Sequence, residues 1–260
     1  MTASPGWAGI IPDSDAWERW RPAAEAEEIT VDHSEWGVLL NKYLRVDAES
    51  GINRFDYAAV NTADKALLAS YIESLSATSV AQLTRAQQQA YWINLYNALT
   101  IQLILDNPGV KSIRKIKDGF FSIGPWGIEL IEVDGQVLTL NDIEHRILRP
   151  LYGDARVHFA VNCASLGCPN LQPEPWEADT LDAQYDRAAR EFIAHPRGAL
   201  VEADRITLSS IFKWFSEDFG DDRQAVLRWI SQFADADKAE RLRNYTGRVR
   251  YDYDWALNAP

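Results

Sequence analysis

From Ser34 onward the apolar positions recur with helical spacing. Trp36, Leu39, Leu40, Tyr43 and Leu44 fall on one face, with Ser34 as the expected N-cap. A second helix, capped by Thr62, carries Leu67, Leu68, Tyr71, Ile72 and Leu75. The third runs unbroken from Ala86 to Leu105, opens on a Thr84/Gln87 capping box and ends at Asp106-Asn107-Pro108-Gly109. Its apolar residues cover much of the circumference, which predicts the central helix of the domain. Asn94 and Asn97 lie on one face of it, where a buried amide needs a partner because an unpaired one costs a few kcal/mol. They are expected to tie the helix to a loop or to orient a catalytic group.

The period then changes. Residues 120–123 and 128–133 have the look of strands, and Asp134-Gly135 predicts a tight hairpin into 137–140. A short helix follows at 141–148, with Asn141 and Glu144 fitting a capping box and Pro150 closing it. Residues 156–161 read as a buried strand that leads into the loop Asn162-Cys163-Ala164-Ser165-Leu166-Gly167-Cys168-Pro169. Further on come an amphipathic helix over 181–194, a hairpin of 199–202 with 205–208, a helix capped by Ser209, another over about 223–233, and a terminal strand with Tyr251, Tyr253 and Trp255 alternating. Helices around a few short antiparallel strands predict a single α+β domain, mostly helical, over 33–260. Residues 1–32, mixed in character, are expected to be an arm packed on the body through Trp7, Trp17 and Trp20.

Composition narrows the functional classes. The 260 residues are 47% hydrophobic and 25% charged, which fits a globular chain, and the ten tryptophans suggest aromatics in the core and along a groove. A net charge of −12 argues against nucleic-acid partners, and no apolar run reaches the roughly 20 residues of a membrane span. The first seven residues lack the basic and apolar regions of a signal peptide, as in a cytoplasmic protein or a mature exported chain. No Gly-rich phosphate loop, G-x-S-x-G elbow or H-E-x-x-H motif is present. Oligomeric state is not encoded legibly.

Candidate chemistry gathers at the loop. Cys163 is the strongest nucleophile there, and its thiolate forms readily beside a histidine or a helix N-terminus. Strand alternation puts His158 and Asn162 on the face opposite Cys163, so a direct His158–Cys163 pair needs a turn at Asn162. His145 is free of that restriction, and Glu144, about 100° from His145 on a helix, is better placed to orient His158. Two triads follow: Cys163 with His158 and Glu144, or Cys163 with His145 and another acceptor. The N–H groups of Ala164 and Ser165, with the Asn162 amide, would form an oxyanion hole. The alternative is structural, with Cys163 and Cys168 bridged and the loop merely braced. A zinc site from these cysteines and two histidines is disfavoured by the four-residue gap and the lack of a second ligand pair, so no metal or cofactor is expected.

Four blocks carry a resemblance: Ala90-Tyr91-Trp92-Ile93-Asn94-Leu95-Tyr96-Asn97-Ala98, Ile143-Glu144-His145-Arg146-Ile147-Leu148-Arg149, His158 through Ser165 with Cys168-Pro169, and Leu208 through Phe215. In order and spacing they resemble the family catalogued as domain of unknown function 547, with a core at about 85–219, and Tyr253-Asp254-Trp255-Ala256-Leu257-Asn258 is similar to that family's ending. The resemblance implies a bacterial protein and favours an exported, periplasmic chain over a cytoplasmic one; it implies no substrate or cofactor. Kinship with papain-like or transglutaminase-like enzymes is a further expectation, although the order Glu144, His158, Cys163 departs from their Cys-first order. The resulting expectation is a cysteine-dependent acyl-transfer enzyme, a hydrolase or transamidase acting on a peptide or other amide or ester. Its rival is a non-catalytic peptide- or glycan-binding module.

Overall fold

The computed structural model describes residues 14–22, 29–117 and 124–260. At its centre lies α3 (Arg85–Asp106), and the Thr84/Gln87 capping box that opens it is formed in both directions. Trp92, Ile93, Leu95, Ala98 and Leu99 are all buried on it, so this helix meets protein on nearly every side, as its apolar circumference requires. α1 (Ser34–Tyr43) and α2 (Thr62–Ser76) pack nearby, with Trp36 stacked on Tyr71. Both caps fall one residue earlier than the sequence suggests. His33 precedes α1, whose first N–H is taken by Asp32, and the Asn61 side chain, not Thr62, caps α2. Asparagine is the stronger cap, because its amide oxygen reaches the free N–H groups and leaves threonine inside the first turn.

Among the described residues, three small sheets flank the helices. β1 (Leu44–Arg45) pairs with β2 (Arg54–Phe55), and β3 (Ile131–Val133) with β4 (Gln136–Leu138) across Asp134-Gly135, both residues at positive φ. β5 (Ala199–Val201) and β6 (Ile206–Ser209) form the second expected hairpin, and β7 (Val249–Asp252) joins β6 in parallel. The expected strand at 120–123 and Trp7 lie outside the described residues. After α5 (Leu181–Ala194) come two short helices, α6 (Ile211–Trp214) and α7 (Ser216–Phe219), then α8 (Arg223–Ser231) and α9 (Ala236–Asn244). Ser210 occupies the N-cap position of α6, and Ser209 ends β6 while its Oγ accepts the Ile211 N–H. α9 has no counterpart in the sequence reading: Ala239 and Leu242 are its only buried residues, too few to mark a period. The whole is one α+β domain. Trp20 docks edge-on against Trp92, 5.1 Å between ring centroids, and Trp17 lies under the Arg146 guanidinium.

Two departures shape the site. Helix 141–148 is expected to be α-helical with an Asn141/Glu144 box; instead Asp142–Leu148 is π-helical and continues into α4 (Arg149–Tyr152), with Pro150 in its first turn. The reciprocal box is made by Thr139 and Asp142, which bond each other's backbone N–H. That leaves the Glu144 carboxylate facing inward. The second departure is at 156–161, where no strand forms: Ala155–Phe159 is a 3₁₀ turn. Asp154 caps it through the Arg156 N–H, and Arg156 is in turn held by Asp154, Asp182 and Asp186, which fastens the turn to α5. Local capping and ion pairs thus override the β-branched composition of the segment.

Candidate functional site

The π turn widens the helix where Glu144 and His145 leave it, an irregularity often found at functional positions. Glu144 is buried and accepts the Tyr96 hydroxyl at 3.0 Å. Its other oxygen lies 3.8 Å from His158 Nδ1. His158 Nε2 donates to Asp218 Oδ2 at 2.6 Å, and the ring stacks on Phe215 at 4.2 Å. Arg149, whose side chain is 1% exposed, grips Asp218 with Nε (2.6 Å) and Nη2 (3.2 Å), and also meets Glu217 at 2.7 Å. Its Nη1 donates to His145 Nδ1 at 3.2 Å, which fixes that nitrogen as an acceptor. Burial, helped by the Arg149 and His158 charges and opposed by Glu144, holds the His145 pKa below its ordinary value. Burial also resists ionisation of Asp218, but the bonds from His158 and Arg149 outweigh it and bring that carboxyl down to about 2.

Cys163 sits in a second network. Both cysteines are free thiols, so the structure does not contain the expected alternative of a bridge; the sulfurs are 3.2 Å apart. Cys163 Sγ also lies 3.2 Å from Ser165 Oγ and 3.1 Å from the Tyr253 hydroxyl, and those two oxygens are 2.9 Å apart. Hydrogen bonds from Cys168, then Ser165 and Tyr253, lower the Cys163 pKa against the opposing effect of burial. Cys168, fully enclosed and beside that sulfur, is pushed well above the usual thiol range. Cys163 keeps partial exposure to solvent.

The loop is tightly built. Asn97 accepts the Asn162 N–H and donates to Ala160 O, while Asn94 clamps both backbone groups of Trp176. Both asparagines therefore join α3 to neighbouring backbone. The Asn162 side chain donates to Pro169 O and accepts the Ala164 N–H, so two of the three expected oxyanion donors are committed to the loop. Ala164 is held at φ 56°, a conformation unfavourable to an L residue. The C-terminal segment pins the far side through Leu166 N to Ala256 O and Asn258 N to Ala164 O. Gly167 approaches it so closely that an added Cβ would lie 2.7 Å from Asp254 N.

The structure thus gathers Glu144, His145 and His158 into one network and puts Cys163 in another. Among the described residues, the hydrogen-bond partners of the Cys163 sulfur are Cys168, Ser165 and Tyr253, and neither histidine is among them. The two networks meet at Glu144, whose charge acts on Cys163 and His145 alike. Arg149, Asp218 and Tyr253 were not singled out by sequence. Arg149 stands in a recognisable block, four residues after His145, and Tyr253 opens the family-like ending, but Asp218 lies outside every block, and only the fold brings it and Tyr253 close. No three His, Cys, Asp or Glu side chains among the described residues converge as a metal site.

Fold and site define a small α+β protein organised on one buried helix, with a carboxylate–imidazole network beside a dithiol loop. Residues 80–193 match the family described as protein of unknown function, DUF547, so the chain contains a domain of that family. Neither a curated protein nor a solved structure matches it. The matched residues include His145, His158, Glu144, Arg149 and both cysteines; Asp218 and Tyr253 lie beyond them.

Proposed function

We propose that the chain is a cysteine-dependent acyl-transfer enzyme, hydrolase or transamidase, with Cys163 as the nucleophile. The observation that carries this reading is a partly exposed sulfur with its pKa lowered by three donors, on a turn held in an unfavourable backbone conformation. The thiolate attacks an amide or ester carbon, the acyl group passes to Sγ, and the amine or alcohol leaves with a proton. Water or a second amine then takes the acyl group and frees the thiol. The Ser165 N–H is not used in its pairing with Leu257, because the bridge bonds flank it, and is the remaining loop donor for a developing oxyanion. Half-buried Trp214, Tyr253, Trp255 and Trp126 form a chain of ring contacts that reaches the sulfur through Tyr253 and offers an apolar surface for the rest of the substrate.

A chloroacetamide probe tests the nucleophile, with modified peptides read by mass spectrometry and turnover followed on a panel of activated esters. Labelling of Cys163 in the folded, reduced protein is the expected result; labelling only after unfolding would sink the proposal. A second reading, a non-catalytic binding module braced by the same residues, draws on His158, whose nitrogens both face carboxylates and whose ring is stacked on Phe215. Retention of ligand binding by Cys163→Ala, with no turnover by the parent, would favour it.

A further inference from the structure

The two sulfurs differ in ways that an acyl-transfer site does not require. Cys163 reaches solvent and has two hydroxyls within hydrogen-bond reach of its sulfur; Cys168 is buried, and its sulfur lies 3.2 Å from Cys163 Sγ and takes the Cys163 backbone N–H at 3.1 Å. A disulfide needs about 2.05 Å between sulfurs. The present 3.2 Å therefore closes with a shift of about 1.1 Å, within the reach of small side-chain rotations. The short loop between them is already turned back on itself, with Cys168 N bonded to Ser165 O, so little ordering remains to be done.

We propose that Cys163 and Cys168 are a two-electron redox pair, in which Cys163 is the sulfur that meets a hydroperoxide and Cys168 the sulfur that closes the bridge. The proposal does not need the acyl-transfer reading to hold. In the first step the Cys163 thiolate attacks the distal oxygen of the hydroperoxide, an S–O bond forms as the O–O bond breaks, and the leaving hydroxide or alkoxide takes a proton. Cys163 is oxidised to the sulfenic acid. In the second, the Cys168 sulfur attacks Cys163 Sγ, the S–O bond breaks, and water leaves with the Cys168 proton. One hydroperoxide is reduced and one disulfide is formed; a small thiol such as glutathione returns the pair to its starting state by two exchanges.

The buried position of Cys168 gives the order of events. An external oxidant meets Cys163 first, and the sulfenic oxygen is displaced by the nearest thiol before a second equivalent arrives. The same bridge removes the proposed acyl-transfer nucleophile, so oxidation would silence that chemistry until the bond is reduced.

The test uses the full reduced chain, one equivalent of hydrogen peroxide, and an alkylating trap, read by intact mass and peptide mapping with a non-reducing gel to confirm monomers. Expected for the parent is a mass about 2 Da lower, loss of both alkylation sites, a linked Cys163–Cys168 peptide, and full reversal by dithiothreitol. Cys168→Ser should instead retain oxygen on Cys163, a gain of about 16 Da or more. Cys163→Ser should leave Cys168 unoxidised at this dose. Sulfinic acid at Cys163 beside a free Cys168 in the parent would overturn the proposal, as would oxidation of Cys168 in Cys163→Ser at the parental rate. Should the serine variants fail to fold, the parental peptide map alone decides between the linked peptide and the over-oxidised one. Ester turnover by the reduced protein is measured separately, so failure of either proposal is visible without the other.

Discussion

The network around Arg149 and the network around Cys163 are both polar clusters set into an apolar interior, yet they are satisfied in opposite ways. Around Arg149 full charges meet full charges: a guanidinium faces Asp218 and Glu217, and His158 adds a third contact to Asp218. Around Cys163 two thiols and two hydroxyls share one small space with four protons and weak sulfur acceptors. Removing one proton there improves the bonding, because the resulting thiolate is a better acceptor for the remaining three donors. Removing a proton or a partner from the Arg149 network leaves a buried charge exposed to a low-dielectric surrounding. One network is thus suited to hold segments together and the other to react.

The largest test of this contrast is stability. Arg149→Met strips Asp218 of its main cation and should cost about 3–5 kcal/mol, whereas Cys163→Ala, which deletes one partly exposed sulfur, should cost about 1 kcal/mol. Urea unfolding with fitted slopes measures both. Equal losses would mean that the thiol network is also structural, and the contrast would fall.

Acid separates the charged network from the rest of the domain. Burial holds the imidazole of His33 down to about 4, against Asp32, and its Nδ1 meets the Tyr71 hydroxyl at 2.7 Å. The unfolded chain takes up this proton near pH 6.5, before the folded one does, so stability is fully present above that pH and falls by about 3 kcal/mol on the way to pH 4. Asp218 acts lower. Its unfolded carboxyl protonates near the ordinary value while the folded one stays ionised to about 2, so a further loss of roughly 2 kcal/mol falls between about pH 4 and pH 2. His33→Phe should shrink the upper leg, where His145 and His195, also held below their ordinary value by burial, supply the rest, and Asp218→Asn should flatten the lower leg. A pH–stability curve in which either substitution flattens both legs would show that the two regions are not independent.

The same contrast explains what could be read in the chain beforehand. α3 and its capping box follow from local chemistry, since the apolar circumference and the Thr84/Gln87 pair need no distant partner. The hairpins at Asp134-Gly135 and 199–208 follow from turn residues for the same reason. At 156–161 the alternation of Val157, Phe159 and Val161 was equally suggestive of a strand, but the backbone there is fixed by Asp154, the Arg156 ion pairs and Asn97, two of them non-local. Glu144 looked like a capping residue and is not one, because Thr139 and Asp142 take that role two residues earlier. Cys163, His158, His145 and Glu144 were visible as residues that carry chemistry. Their division into two networks was not, because it depends on Asp218 and Tyr253, which arrive from α7 and from the segment after β7.

The smallest expected effect is the sharpest probe of the thiol network. Tyr253→Phe keeps the ring against Trp214 and Trp255 but removes one donor to the Cys163 sulfur and one partner of Ser165. Stability should change by about 1 kcal/mol or less, the size of one net hydrogen bond. The thiolate, deprived of that donor, forms at higher pH, so alkylation of Cys163 at neutral pH should slow roughly three- to tenfold. At high pH, where both proteins are ionised, the rates should converge. That convergence separates a change in proton affinity from a change in access: a variant slowed equally at every pH would have lost its approach path to the sulfur, and an unshifted profile would mean that Tyr253 does not stabilise the thiolate.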